Sequence, residues 1–131
     1  MLKKRIFITG SNTDIGKTFI TNQLLKIMIK KGVSVIPFKP IETGCKKINH
    51  KLIPNDSSIY FKTLNKSITL EKINPYRFYN AISPTMAMIL EKKNYFLKDY
   101  IKKISLLPKS EYILIEGAGG LFSPIAKDGL N

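Results

Sequence analysis

The stretch Gly10-Ser11-Asn12-Thr13-Asp14-Ile15-Gly16-Lys17-Thr18 decides how this chain is read. It keeps the spacing G-x-x-x-x-G-K-[ST], in which glycines let backbone N–H groups converge on phosphate oxygens. Just before it, Lys4–Thr9 carries Ile6, Phe7 and Ile8 in succession and reads as a short buried strand. Just after it, Thr18–Lys31 places Phe19, Ile20, Leu24, Leu25, Ile27 and Met28 at a helical period that closes before Gly32. Strand, glycine loop and helix in this order make an anion site. The helix N-terminus adds partial positive charge, Lys17 neutralises the outer phosphates, and the Thr18 hydroxyl is placed to ligate magnesium.

Working outward, Val33–Phe38 is a second strand, cut off by Pro40. Residues 41–56 have loop chemistry, after which Asp56 or Ser57 caps a short helix through Phe61. Ser83-Pro84 is a helix start with serine at the cap and proline in the first turn, continuing over Thr85–Lys93. Phe96–Leu107 is a further amphipathic segment. Tyr112–Ile115 is the third buried strand, ending at Glu116 and a Gly-Ala-Gly-Gly run. Strands alternating with helices predict an α/β protein: a P-loop NTPase-like, three-layer fold with a parallel sheet, forming one nucleotide-binding domain over 1–131. Ligands then sit at the carboxyl ends of the strands.

The chain has 131 residues with 22 basic and 9 acidic side chains, a formal charge of +13. The lysines are dispersed and only Arg5 and Arg77 are arginine, the residue suited to bidentate phosphate and base recognition. The charge therefore reads as a solvated surface that draws anionic ligands, and not as a nucleic-acid footprint. One cysteine, Cys45, excludes an internal disulfide framework and a cysteine-built metal site. No apolar run approaches the roughly 18 residues of a membrane helix. Met1–Gly10 has too short an apolar part for a signal peptide and is taken as a strand, so a soluble cytoplasmic protein is expected.

Three further polar positions fall at strand ends. Lys39, after the second strand, is open between a solvated lysine and a ligand contact. Asp56 alone reads as a helix cap. Glu116 is the stronger case, because a carboxylate there can hold magnesium opposite Thr18.

With the phosphate loop, Lys39-Pro40, Thr43-Gly44, Asn55-Asp56, Asn74-Pro75-Tyr76, Ser83-Pro84 and Glu116-Gly117-Ala118-Gly119-Gly120 stand in one order along almost the whole chain. This set resembles the dethiobiotin synthetase family, ATP-dependent ligases of biotin synthesis. The resemblance implies closure of a cyclic urea on 7,8-diaminopelargonate, with carbon dioxide and ATP as co-substrates, magnesium as cofactor and a homodimer as the family assembly. It implies that Lys17 and the loop around Thr13, Asp14, Ile15, Gly16 and Thr18 hold the nucleotide, with Phe19 and Gly117, Ala118 and Gly119 beside it. Thr18, Asp56 and Glu116 would ligate magnesium, the last two also counting toward the nucleotide site. Lys17 and Lys39 would be catalytic, Lys39 contacting carbamate and transferring phosphoryl, and Thr43 would position the substrate.

No protein nucleophile is needed in such chemistry, so His50 and Cys45 read as bystanders and Lys46-Lys47 as a solvated face. Thr85 stands where the family often has histidine. Family members continue well past the Gly-Ala-Gly-Gly loop, so the sheet is expected to be incomplete at the C-terminal side, with no helix or strand at Asp128–Asn131 to finish it. Three alternatives stay open: a nucleotide-binding remnant without catalysis, a partitioning ATPase, and a cobyric-acid-synthase-type enzyme. Partitioning ATPases usually carry an additional lysine early in the loop, where this chain has Asn12.

Overall fold

A computed structural model describes residues 3–131; Met1 and Leu2, which open the Met1–Gly10 stretch, lie outside the described residues. Strand β1 (Lys4–Ile8) feeds the phosphate loop and helix α1 (Lys17–Lys30), which ends beside Gly32 in the left-handed region, φ 74°. Then come β2 (Val35–Phe38), the two-residue β3 (Ile41–Glu42) and a hairpin of β4 (Lys46–Ile48) and β5 (Lys51–Ile53). Helices α2 (Asn55–Thr63) and α3 (Leu70–Ile73) lead to β6 (Tyr76–Arg77), α4 (Pro84–Leu90) and α5 (Leu97–Ser105). The chain closes with β7 (Tyr112–Glu116) and a second hairpin, β8 (Pro124–Ala126) with β9 (Gly129–Leu130).

The central sheet is parallel, in the order β1-β7-β2. Its register sets Ile8 beside Glu116 and Phe38 beside Ile115, so the three strands end level on one side. Alternation along β7 splits the core. Tyr112 and Leu114 face a cluster with Leu25, Val35, Tyr60 and Ile73 from the α1–α3 layer. Ile113 and Ile115 face Ile36, Phe38, Ile104 and Leu107 on the α5 side. Helices on both faces of a parallel sheet are the three-layer arrangement expected from the alternating pattern. Pro37 is tolerated because β2 is an edge strand, where a missing N–H breaks no inner ladder. A third cluster, around Ile41, Phe78, Met88, Tyr100 and Ile125, joins β3, β6, α4, α5 and β8.

The structure departs from the sequence reading in four places. The 41–56 segment is not all loop: it holds β3 and the β4–β5 hairpin, whose tip residues Asn49 and His50 take left-handed φ values of 48° and 62°. Asp56 and Ser57 do not cap α2. Pro54 holds the cap position and both residues lie inside the helix, where a distant carboxylate satisfies their N–H groups. Ser83 sits at the start of α4 with Pro84 in the first turn, as read, yet its hydroxyl makes no cap bond. Strand β1, expected to be buried, has no buried residue, with Phe7 45% exposed at the sheet edge; at the other end Gly129–Leu130 pairs antiparallel with Pro124–Ala126, apart from the central sheet, and does not finish it.

Candidate functional site

The level carboxyl ends of the central strands open on a cavity of about 790 Å³. Thr13, Asp14, Gly16, Lys17 and Thr18 line one wall, and Lys39, Thr43, Asp56 and Glu116 another. Ala118 and Gly119 line it too. Ile15 and Phe19 are more than half exposed and Gly117 packs near Phe7; none of the three lines the cavity.

The phosphate-loop wall is built from backbone. Gly16 takes φ 102°, a conformation that side chains resist, and turns the loop into α1. No side chain caps α1, so its first-turn N–H groups are left for a ligand. Lys17 turns back and donates to the Asn12 carbonyl at 2.5 Å. Burial first, and then the neighbouring Lys39, lower its pKa from 10.5. Across the cavity mouth, Gly120 lies so close to the loop that a Cβ there would meet the Ser11 carbonyl oxygen at 2.7 Å.

The opposite wall centres on Lys39, 5% exposed. Its ammonium donates to Glu116 Oε1 at 2.8 Å and to Asp56 Oδ2 at 2.9 Å. Thr18 Oγ1 donates to the same Glu116 oxygen at 3.0 Å, which joins the two walls. Burial alone would lower the Lys39 pKa, but Glu116 and Asp56 outweigh it and the net shift is upward, so the charge is held at neutral pH. Glu116 is the final residue of β7 and is 1% exposed.

Four residues that sequence reasoning passed over hold these groups in place. Glu42, 4% exposed, accepts from the Asp56 N–H at 2.8 Å and the Ser57 N–H at 3.2 Å, and so fixes the start of α2. Burial raises its pKa. Asn74, fully buried, donates to the Lys39 carbonyl at 2.8 Å while the Lys39 N–H donates to Ile73 O at 2.9 Å. The Tyr60 hydroxyl donates to Glu116 Oε2. Asn131 clasps the glycine run, accepting from the Ala118 N–H at 3.1 Å and donating to the Ala118 carbonyl at 2.6 Å and the Gly120 carbonyl at 2.8 Å. Signals for two of them were present. Glu42 is a charge amid a buried apolar run, and Tyr60 stands one helical turn from Asp56. Cys45 is buried, its thiol pushed up to about 12 by burial, and His50 lies out at the hairpin tip.

A phosphate loop between strand and helix, facing a lysine–carboxylate cluster at the end of a parallel sheet, defines a P-loop nucleotide-binding domain. Residues 4–131 match the family described as AAA domain, and the chain belongs to that family. Among curated proteins it is similar to the ATP-dependent dethiobiotin synthetase BioD of Thermodesulfovibrio yellowstonii, 34% identical over 97% of this chain and 53% of that protein. It is likewise similar to the BioD proteins of Clostridium kluyveri, 35% identical over 98% of the chain and 54% of the relative, and of Vesicomyosocius okutanii, 38% identical over 98% and 57%. The chain thus spans a little over half the length of the curated relatives it matches. No described helix is long and apolar enough to cross a membrane.

Proposed function

We propose that the chain carries the nucleotide and carbamate half of an ATP-dependent ring-closing ligase of the dethiobiotin synthetase type. Carbon dioxide adds to one amine of 7,8-diaminopelargonate, releasing a proton and leaving a carbamate. A carbamate oxygen attacks the γ-phosphorus of ATP, and ADP leaves. The second amine attacks the carbonyl carbon of the mixed anhydride, the C–O bond to phosphate breaks, and the cyclic urea closes with loss of the amine proton. Substrate atoms make every bond, so the protein's task is positioning and charge neutralisation.

The observation that carries this reading is Lys39, charged, buried and held between two carboxylates, in the same cavity as the phosphate loop. In this scheme Lys17 and the loop N–H groups of Thr13–Thr18 hold the phosphates, with Asp14, Ile15, Phe19 and Gly117–Gly119 on the nucleotide side. Lys39 faces the carbamate and the transferring phosphoryl, and Thr43 positions the diamine. The family homodimer and a cytoplasmic location belong to the same proposal, as does a single domain over 1–131.

Magnesium fits the donor set. Thr18, Asp56 and Glu116 offer only hard oxygen ligands: Asp56 and Glu116 share the Lys39 ammonium, and Thr18 meets Glu116 at the same oxygen. No group of three histidine, cysteine or acidic side chains among the described residues makes a metal cage. Phosphate and water oxygens would therefore complete the shell, as this ion prefers. When bound, magnesium supplies neutralisation of phosphate charge.

The test is mass-spectrometric detection of dethiobiotin from purified chain given diaminopelargonate, bicarbonate, magnesium and ATP. Product that disappears in Lys17→Ala is expected. A folded chain that binds ATP and forms none would leave a nucleotide-binding protein without the ligase chemistry.

A further inference from the structure

We propose that Tyr60 is a positioning residue that holds one oxygen of Glu116 so that the other faces the nucleotide cavity. The inference rests on the reading of Thr18, Asp56 and Glu116 as the magnesium-holding set, and it adds a residue that neither the phosphate loop nor the strand-end motifs contain.

Glu116 is 1% exposed, and its two oxygens have separate partners. Oε1 accepts from Thr18 at 3.0 Å and from Lys39 at 2.8 Å, on the cavity side. Oε2 accepts from the Tyr60 hydroxyl, on the core side. Tyr60 is itself fully buried, in the cluster of Leu25, Val35, Ile73 and Leu114, so its ring has no freedom to leave. A phenol keeps its proton at neutral pH, and the Tyr60 hydroxyl donates it to Oε2. The base on which it stands is also fixed. Glu42 holds the first turn of α2, and Thr63 donates to Asn22 Oδ1 of α1 at 2.7 Å.

Among the described residues the neighbouring hydroxyls are engaged elsewhere, and only the Tyr60 hydroxyl donates to Oε2. The Thr21 hydroxyl donates to the Lys17 carbonyl at 2.8 Å, and the Thr18 hydroxyl is directed to Oε1. A carboxylate turns easily about its last bond, which has no sharp rotamer wells. Without the phenol, Oε2 is buried with no donor, and the group gains by rotating to offer both oxygens to the Lys39 ammonium. The oxygen meant for the metal is then drawn into the ion pair. Partners that orient a metal-binding side chain in this way typically contribute ten- to a hundredfold in metal affinity.

The experiment measures ATP binding by calorimetry, with magnesium and with EDTA, for the wild type, Tyr60→Phe, Glu116→Gln and the double variant. Tyr60→Phe keeps the ring and its packing. It is expected to weaken ATP binding about tenfold in magnesium, to leave binding in EDTA unchanged, and to add nothing in the Glu116→Gln background. Replacing Tyr60 with 4-aminophenylalanine retains a donor at the same place and is expected to restore most of the magnesium effect; this variant also decides the matter should the phenylalanine variant fold poorly. Equal weakening in magnesium and EDTA, or a magnesium effect that Tyr60→Phe and 4-aminophenylalanine leave at the wild-type value, would overturn the role of Tyr60 alone. ATP binding indifferent to magnesium in the wild type would overturn the metal reading, and this proposal with it.

Discussion

The two lysines of the cavity sit in opposite circumstances. Lys17, on the phosphate-loop wall, has as its one side-chain hydrogen bond among the described residues a loop carbonyl of its own strand-to-helix turn. Lys39, on the facing wall, is committed to two carboxylates from two other elements, α2 and β7. One ammonium has no carboxylate partner among the described residues, while the other is also part of the fold's internal charge balance. The lesson is that cations sharing a cavity need not be held alike: losing Lys17 removes one bond to a loop carbonyl, whereas losing Lys39 strands a buried carboxylate.

The largest effect is therefore expected at Lys39. Lys39→Met preserves much of the volume and leaves Glu116 buried without its cation. Removing one partner of a buried pair costs about 3–5 kcal/mol, and urea unfolding should show a loss of that size. Adding Glu116→Gln removes the stranded charge, so the double variant should recover most of the stability while nucleotide turnover stays lost. If the single variant unfolds at the wild-type midpoint, the contrast between the two walls is wrong.

Lys17→Ala should do the reverse. Hydrogen bonds to charged groups are worth about 1.5–3 kcal/mol, so ATP binding should weaken about 10- to 100-fold. Lys17 is buried and donates to the Asn12 carbonyl, so stability should fall by about 1 kcal/mol, well short of the loss at Lys39. Alkaline titration sharpens the comparison further. Both lysines start from 10.5, with Lys17 shifted below it and Lys39 above. A raised lysine contributes stability that is complete below its unfolded pKa and lost only as pH rises through the folded one; the Lys39 contribution is flat through neutrality. A lowered lysine loses its proton in the fold first, and stability gains slightly as it does. On raising the pH, ATP affinity should fall before the unfolding midpoint does; the two falling together would break the distinction.

Asn74 comes next, because it acts on Lys39 at one remove. Its amide donates to the Lys39 carbonyl, and its Oδ1 accepts from Arg77 Nε at 3.1 Å. Asn74→Ala leaves the Lys39 carbonyl short of a bond in a closed setting, while Arg77 Nε keeps the Asn74 main-chain carbonyl at 3.1 Å, for a cost of about 1–2 kcal/mol. Turnover should drop through kcat, with ATP affinity close to wild type, since the phosphate-loop wall is untouched. Equal losses in both would mean that the two walls are mechanically one.

What could be read from the sequence follows from the same physics. Val35–Phe38 and Tyr112–Ile115 are apolar runs suited to a doubly covered sheet, so these strands and the phosphate loop were legible; Ile6–Ile8 was legible as a strand but not as a buried one, since it lies at the sheet edge with Phe7 45% exposed. So were Lys17, Thr18, Lys39, Asp56 and Glu116 as positions at strand and helix ends, and the structure brings all five to one cavity. The β4–β5 hairpin was not, because Lys46, Lys47 and Ile48 are all exposed and no buried face imposes a period. Nor was the bond from Tyr60 to Glu116, which spans 56 positions. A helix pattern shows that Tyr60 points the same way as Asp56, but not what lies opposite.

The hairpin offers the smallest effect and the cleanest control. Its tip, Asn49-His50, has both residues in the left-handed region, the geometry of a type I′ turn, in which glycine at the second place is preferred. His50 holds φ 62° against a steric cost of about 1–2 kcal/mol. His50→Gly removes that cost, and the greater freedom of glycine in the unfolded chain takes back about 0.5–1 kcal/mol. The expected balance is a gain of about 0.5 kcal/mol in urea unfolding. The hairpin is tied to the body where Arg77 Nη1 donates to the Leu52 carbonyl at 3.2 Å, and its tip does not line the phosphate cavity. ATP affinity should therefore stay at the wild-type value while stability rises. A change in affinity would show that the tip communicates with the Lys39 wall through β5 and α2, and would extend that wall's coupled network to the surface.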